Sequence, residues 1–298
     1  MLFRQMESFT AVIEKGSISS AAASLGISQP AVSKHISSLE NELGVKLFKR
    51  GHKCSLLTRE GEIVYKYSKK IRSSVRDILK EVADASNEVS GNVSLSASSI
   101  PGDFVLPGLL VDFSARYPGI ETDVNISDSK TALERLISRD ADFAIIGEEK
   151  HPAGFEVHPF FDDEIVLVVK PDHFLAGRET IALKELSELV FIGRTEGSGT
   201  RKVLERFFHQ QGIDMISTRL NFGHVMAVVN AVESGAEAGI VSRRAVMNNR
   251  SLAVISLDPP LRRTFYLIHG TVSTNAMGVM LDFLLNMNRV KQDSDNLL

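Results

Sequence analysis

The chain has 298 residues and is 43% hydrophobic, which is enough for two or three folded units and a sizeable core. One cysteine, Cys54, excludes an internal disulfide and a cysteine-cluster metal site, and no apolar run reaches the roughly 18 residues of a membrane span. The net charge of -3 hides an asymmetry: residues 1–59 hold eight Lys/Arg against four Asp/Glu, and the remainder carries -7, so a basic end suited to a polyanion precedes an acidic body.

The amino terminus breaks its apolar residues with Arg4, Gln5, Glu7 and Glu14, unlike a signal peptide, and a cytoplasmic protein is expected. Phe3, Met6, Phe9, Val12 and Ile13 recur at helical spacing and Gly16 stops them, which predicts a first helix. Ser19 to Leu25 is a short alanine-rich helix ended by Gly26. Ser28 then serves as N-cap, with Pro30 in the first turn, of a third helix reading QPAVSKHISSLENEL. Ala21 to Ala23 permit the close crossing of a helix-turn-helix, while Ile27, Val32, Ile36 and Leu39 supply its buried stripe. Leu47 and Phe48 are placed under a short hairpin whose tip, Lys49 to Lys53, makes a basic wing. From residue 60 to 88 an amphipathic helix carries Ile63, Val64, Tyr67, Ile71, Val75, Ile78, Leu79 and Val82, and so long a stripe needs a partner, most simply a second copy of the chain.

After the polar hinge SNEVSGN the pattern alternates strand and helix: VSLSAS, a helix near 104–116, ETDVNIS, a helix near 130–139, and FAIIG. A long strand pair, FEVHPFFDDEIVLVVK, precedes LVFIGR, a helix near 200–211, LNFG, a helix near 224–234, GIVS, LAVISL, FYLIHG and a closing helix near 275–290.

The block GSISSAAASLGISQPAVSKHISSLENELGVKLFKR, followed by Thr58 to Gly61 (TREG), resembles the amino-terminal signature of LysR-type transcriptional regulators. The resemblance implies a mixed fold. An all-α winged helix-turn-helix over 1–59 and a dimerisation linker helix over 60–88 lead into a two-lobed α/β, periplasmic-binding-protein-like (type 2) effector domain over 91–298. Lobe I is expected over 91–162 and 265–298, lobe II over 163–264, with crossovers near Asp162 to Glu164 and Arg263 to Phe265. It further implies a homotetramer built from dimers, which bends promoter DNA and meets RNA polymerase where it activates. Two copies of the linker helix are expected to pair through Ile63, Tyr67, Ile71, Val75, Ile78 and Val82.

On the third helix Gln29 suits bidentate pairing with adenine, Ser33 a base or phosphate, Lys34 guanine or phosphate, and Pro30 apolar contact. Ser28, His35, Arg50, Lys53 and Thr58 are phosphate candidates. In two-lobed α/β domains ligands sit where helix N-termini point into the cleft. Ser98, Ser99 and Ile100, then Ser129 and Thr131, then Glu196, Ser198, Gly199, Thr200 and Arg201, with Gly147 and His224 opposite, are the expected lining. Ser198 and Thr200 read alternatively as plain helix caps, and Arg201 as a brace for Glu205. Such a lining suits a small oxyanion or carboxylate. The EGSGTR stretch resembles a family branch concerned with inorganic sulfur and one-carbon assimilation, although Ser98 and Ser99 stand where that family often has threonines.

The histidines show neither HxxxH nor HExxH spacing, and neither GxSxG nor GxxxxGK[ST] occurs, so no metal, cofactor or catalytic residue is expected. A solute-binding protein would account for 91–298 but would leave the first 88 residues unexplained.

Overall fold

The computed structural model describes residues 2–49, 56–84, 90–147, 153–186, 189–213 and 218–295, and divides into two compact units, Met1–Leu79 and Lys80–Leu298.

In the first unit, α1 (Leu2–Lys15), α2 (Ile18–Leu25) and α3 (Gln29–Leu43) bury Phe9, Val12, Ala21, Ala22, Val32, Ile36, Leu39 and Leu47 around one core. Ser17 caps α2 through the Ser20 amide at 3.1 Å, Ser28 caps α3, and Gly26 and Gly44 end these helices in the left-handed conformation that a side chain disfavours. Ile27, expected in the buried stripe, is instead exposed, because it lies in the turn before the helical period begins. Glu40 reaches across the next turn to accept from the Leu47 amide at 2.9 Å and from Lys46 at 2.6 Å. Phe48 and Leu57 form the base of the wing, and the wing tip, with Arg50, Lys53 and Cys54, lies outside the described residues. The long helix α4 (Arg59–Asp84) starts against this base. A Cβ on Gly61 would collide with the Leu47 carbonyl oxygen, so only glycine lets the helix pass there. Arg72 of α4 makes two hydrogen bonds to Glu14 of α1, at 3.0 and 2.9 Å.

The second unit is built on a mixed nine-stranded sheet. Parallel strands β1 (Gly91–Ser98), β2 (Ile120–Ser127) and β3 (Phe143–Ile146) form one half, joined by α5 (Ser99–Phe104), α6 (Leu106–Arg116) and α7 (Ser129–Ile137). The other half holds β5 (Thr180–Ala182), α8 (Leu183–Leu186), β6 (Phe191–Arg194), α9 (Gly199–Gln210), β7 (Thr218–Phe222), α10 (Val225–Glu233) and β8 (Ala238–Ser242). Two long strands belong to both halves: β4 (Glu156–Val169) and β9 (Ala253–His269) pair antiparallel along their length, with Asp162 opposite Thr264, Asp163 opposite Arg263 and Glu164 opposite Arg262. α11 (Asn275–Asp295) returns to pack on the first half, where Val93, Leu95, Phe113, Phe143, Leu267, Met280 and Leu284 are buried. Ile165 to Val169 are buried without alternation, as expected of a strand covered on both faces.

Three expectations need correction: FEVHPFFDDEIVLVVK is not a strand pair but the one continuous strand β4, whose antiparallel partner is the distant β9. LAVISL and FYLIHG are not separate strands: β9 runs through Asp258-Pro259-Pro260, where pairing with β4 jumps from Ile165–Leu261 to Val166–Ser256. The prolines, which donate no backbone hydrogen bond, read as a break but sit in a bulge that is not paired with β4 and whose first residues, Leu257 and Asp258, pair with β5 instead. The helix near 104–116 is preceded by a separate α5, because Pro101 stands in a first turn that needs no amide donor from it. β5, α8 and the 3-10 turn Arg243–Val246 carry too little periodicity to be seen in sequence.

Candidate functional site

Between the two halves of the sheet lies a cavity of ≈ 290 Å³. It is lined at the ends of β1, β2, β3 and β6 by Ser98, Ser99, Ile100, Ile126, Ser127, Asp128, Ser129 and Gly147 on one side and by Arg194 to Thr200, Gly223 and His224 on the other. Arg263 and Phe265 of β9 form its floor. The strand ends place there the starts of α7, α9 and α10; Asp128 and His224 cap the first and last, whereas α9 begins without a side-chain cap and leaves amides that favour an anion. The two walls approach closely at Gly199, where a Cβ would stand 3.0 Å from the Ser129 hydroxyl, and Gly197 takes φ 95° to turn the loop inward.

The floor is a buried ion pair. Arg263 donates to Asp163 from Nε at 3.0 Å and Nη2 at 2.8 Å, and to the Thr200 hydroxyl from Nη1 at 3.1 Å. Its guanidinium also lies 4.6 Å from the centroid of Phe265, which stacks on Phe161, over which Arg244 lies in turn. Burial pushes the Arg263 pKa down, against the pull of Asp163. The second buried cation differs. Arg194 donates to the carbonyls of Phe222 (Nε, 3.2 Å) and Gly223 (Nη2, 2.9 Å), while its buried Nη1 has no partner in the protein. Burial, followed by repulsion from Arg263 and offset by Asp103, lowers its pKa to about 10, so it remains a cation at neutral pH. His224 accepts the Met226 amide at Nδ1 (3.3 Å), which leaves the proton on Nε2, 3.0 Å from Asp103 of α5 across the cleft. Burial would raise the Asp128 carboxyl, but hydrogen bonds from Thr131 and Lys130 hold it below its ordinary value. The arrangement can hold a small anion: one cation is neutralised by Asp163, and the other, a residue of the cavity wall, keeps a buried donor without a protein partner, while Asp128 and Glu196 put carboxylates on the same lining.

Of the expected lining, Ser98, Ser99, Ile100, Ser129, Gly147, Glu196, Ser198, Gly199, Thr200 and His224 meet around the cavity. Thr131 and Arg201 do not: Thr131 gives its amide and hydroxyl to Asp128, both at 2.9 Å, and Arg201 braces Glu205 at 2.6 Å and the Arg194 carbonyl at 3.2 Å. Ser198 starts α9 without a capping hydrogen bond from its side chain, whereas Thr200 accepts from Arg263. Sequence reasoning missed Arg194 and Arg263. The signal was a charge on an apolar strand face: Arg263 alternates with Leu261, Phe265 and Leu267, and Arg194 closes the apolar run Phe191-Ile192.

In the first unit Gln29, Pro30, Ser33 and Lys34 are exposed along one face at the start of α3. His35 is instead held by the Ser8 hydroxyl at 2.7 Å, and Thr58 donates to the Lys46 carbonyl at 2.7 Å while accepting from the Gly61 amide at 2.9 Å. Ser28 is engaged as the α3 cap at 3.4 Å. These three bind the fold together with their side chains. Along α4, Ile63, Tyr67, Ile71 and Ile78 are 51, 54, 39 and 59% exposed, a bare apolar stripe that Val75 joins half-buried, while Val82 falls outside the residues whose side chains are described.

Residues 3–62 match the family described as "Bacterial regulatory helix-turn-helix protein, lysR family", and residues 86–289 match "LysR substrate binding domain". A RuBisCO operon transcriptional regulator of Allochromatium vinosum is 33% identical over 290 residues, covering 95% of each chain. The crystal structure of CbnR, a LysR family transcriptional regulator, aligns with a TM-score of 0.72 at 19% identity, over 96% of this chain and 99% of that one. The regulatory domain of Synechocystis PCC6803 CcmR, solved in complex with 2-PG, aligns with a TM-score of 0.61 at 25% identity, over 67% of this chain and 98% of that one. With both of its parts matched, the chain belongs to the LysR family of DNA-binding transcriptional regulators with an effector-binding domain.

Proposed function

We propose that this regulator is controlled by a small anion, an oxyanion or a small carboxylate or phosphate ester, bound in the cleft without turnover. The observation that carries the reading is Arg194: a buried cation at the wall of a ≈ 290 Å³ cavity, with one guanidinium nitrogen lacking any protein partner. A buried, unpaired donor of this kind costs stability unless something fills it. Ser198, Thr200, Ser129 and the uncapped start of α9 add neutral donors around it. The volume is at the small end of ligand pockets, which span about 300–1,000 Å³. CcmR, whose regulatory domain was solved with 2-PG, supports an anionic ligand by analogy.

In this reading residues 1–59 read DNA, 60–88 dimerise, and 91–298 sense the effector, with lobe I over 91–162 and 265–298 and lobe II over 163–264. Gln29, Pro30, Ser33 and Lys34 face the major groove of promoter DNA, and Arg50 and Lys53 reach phosphates. The exposed stripe of α4 pairs two chains, and two dimers make a tetramer that engages RNA polymerase where it activates, in the cytoplasm. The ligand alters transcription because its affinity differs between two arrangements of the assembly. The test is a footprint, at controlled salt, on DNA upstream of the protein's own gene, with and without sulfite, sulfate, thiosulfate, 2-PG and small carboxylates. Protection that shortens or shifts with one of these anions is expected. Protection indifferent to all of them at saturation overturns the anion reading, and no protection at low salt overturns the DNA-reading assignments.

A further inference from the structure

Away from the cleft, the outer end of the β4–β9 pair carries three metal-ligating side chains on one face. Glu156 is directly opposite His269 in the antiparallel register, and His158, two residues along β4, projects to the same side. The two imidazole Nε2 atoms are 3.1 Å apart, and one Glu156 carboxylate oxygen is 3.8 Å from each of them. Among the described residues no other group of three His, Cys, Asp or Glu converges in this way. None of the three lines the cleft.

We propose that Glu156, His158 and His269 bind a divalent zinc-class cation, one per chain. In a tetrahedral zinc site with Zn–N near 2.0–2.1 Å, neighbouring ligand atoms are about 3.3–3.4 Å apart, so the two nitrogens stand at nearly the spacing required. The carboxylate is a few tenths of an ångström too distant, on a side chain that is 72% exposed and free to swing. His269 is buried and already oriented: its Nδ1 lies 2.7 Å from the Gly270 carbonyl, which fixes the proton there and leaves Nε2 as a lone pair, the arrangement by which metal-binding histidines are commonly held. Phe143 meets the same ring edge-on at 5.8 Å and limits its rotation. Without a cation, His158 must carry its proton on Nε2 to hydrogen-bond His269. On binding, that proton moves to Nδ1 and both Nε2 lone pairs face the metal. His158 is 32% exposed, so one side of the cluster opens to solvent, from which a water completes four-coordination. The ion would clamp the outer ends of the two strands that continue through both lobes.

The test is isothermal titration of the untagged, full-length protein with ZnCl2, with Co2+ absorption as a second readout. The expected result is one tight site per chain with a tetrahedral cobalt spectrum. Glu156→Gln should bind at least tenfold more weakly and His158→Ala should lose the site, while His209→Ala, at a surface histidine elsewhere, should bind as the parent does. Both altered positions are at least partly exposed, so unchanged far-ultraviolet circular dichroism is expected to accompany the loss. Zinc stoichiometry and affinity that survive in the Glu156→Gln, His158→Ala double variant, or an octahedral cobalt spectrum, would overturn the assignment.

Discussion

Replacing Arg194 by methionine separates a ligand-binding cation from a structural one, because the two roles give opposite signs in the apo protein. The lowering of the Arg194 pKa from its ordinary value to about 10 corresponds to a penalty of about 3 kcal/mol for keeping the charge in the fold. The sign follows from linkage: the unfolded chain holds this proton more tightly, so the penalty applies in full at neutral pH and lifts only as pH rises through about 10. Methionine removes the penalty but leaves the carbonyls of Phe222 and Gly223 without their donors, a loss of about 1 kcal/mol each. The net is a gain of roughly 1 kcal/mol, or about 2–4 °C in melting temperature for a unit of this size. Anion affinity moves the other way: losing a charge-assisted hydrogen bond worth about 1.5–3 kcal/mol weakens binding roughly 10- to 150-fold. Differential scanning fluorimetry of apo protein, beside titration with whichever anion the parent binds, measures both. A variant that melts several degrees lower, or binds the anion with parental affinity, would refute the reasoning.

Other expectations are equally direct. Lys34→Ala should weaken DNA binding similarly across sequences and reduce the salt slope by about one, whereas Gln29→Ala should cost about 1–3 kcal/mol on the cognate site and relax its specificity, both read by fluorescence anisotropy over a salt series. Tyr67→Asp with Ile71→Asp on the exposed stripe of α4 should yield monomers in light scattering while leaving the melting of the effector domain unchanged. Gly61→Ala should destabilise the amino-terminal unit by about 1–3 kcal/mol through the collision with Leu47, measured by urea unfolding. Burial would raise the Glu164 carboxyl, but hydrogen bonds from Arg243 and Ser256 and the Arg243 charge hold it below its ordinary 4.5. The stability this contributes is present above pH 4.5 and is lost as pH falls through the lowered folded value, so Glu164→Gln should flatten the acid limb of the stability curve below that pH.

The helices of the first unit were legible almost residue for residue, because a cap and a 3.6-residue period act within a few positions: α3 begins after Ser28 and ends before Gly44, as the sequence suggests. Ten of the twelve expected cleft residues line the cavity for a similar reason, since small polar residues follow each strand end and precede a helix. Thr131 and Arg201 show the limit of that reasoning. Each sits in the right loop, yet a near neighbour, Asp128 or Glu205, takes its side chain. His35 and Thr58 likewise turn inward, to Ser8 and to the Lys46 carbonyl.

Short-range chemistry therefore determined, from sequence alone, the third helix with its exposed polar face, the apolar stripe of α4 and the polar loops of the cleft, but not the full order of strands and helices. The tertiary structure decided what depends on register between distant strands. Asp163 and Arg263 are 100 residues apart, and His158 and His269 are 111 apart. No local period connects such positions. They meet because β4 and β9 pair across both lobes, and in an antiparallel pair a slip of one residue would turn each of these side chains to the opposite face.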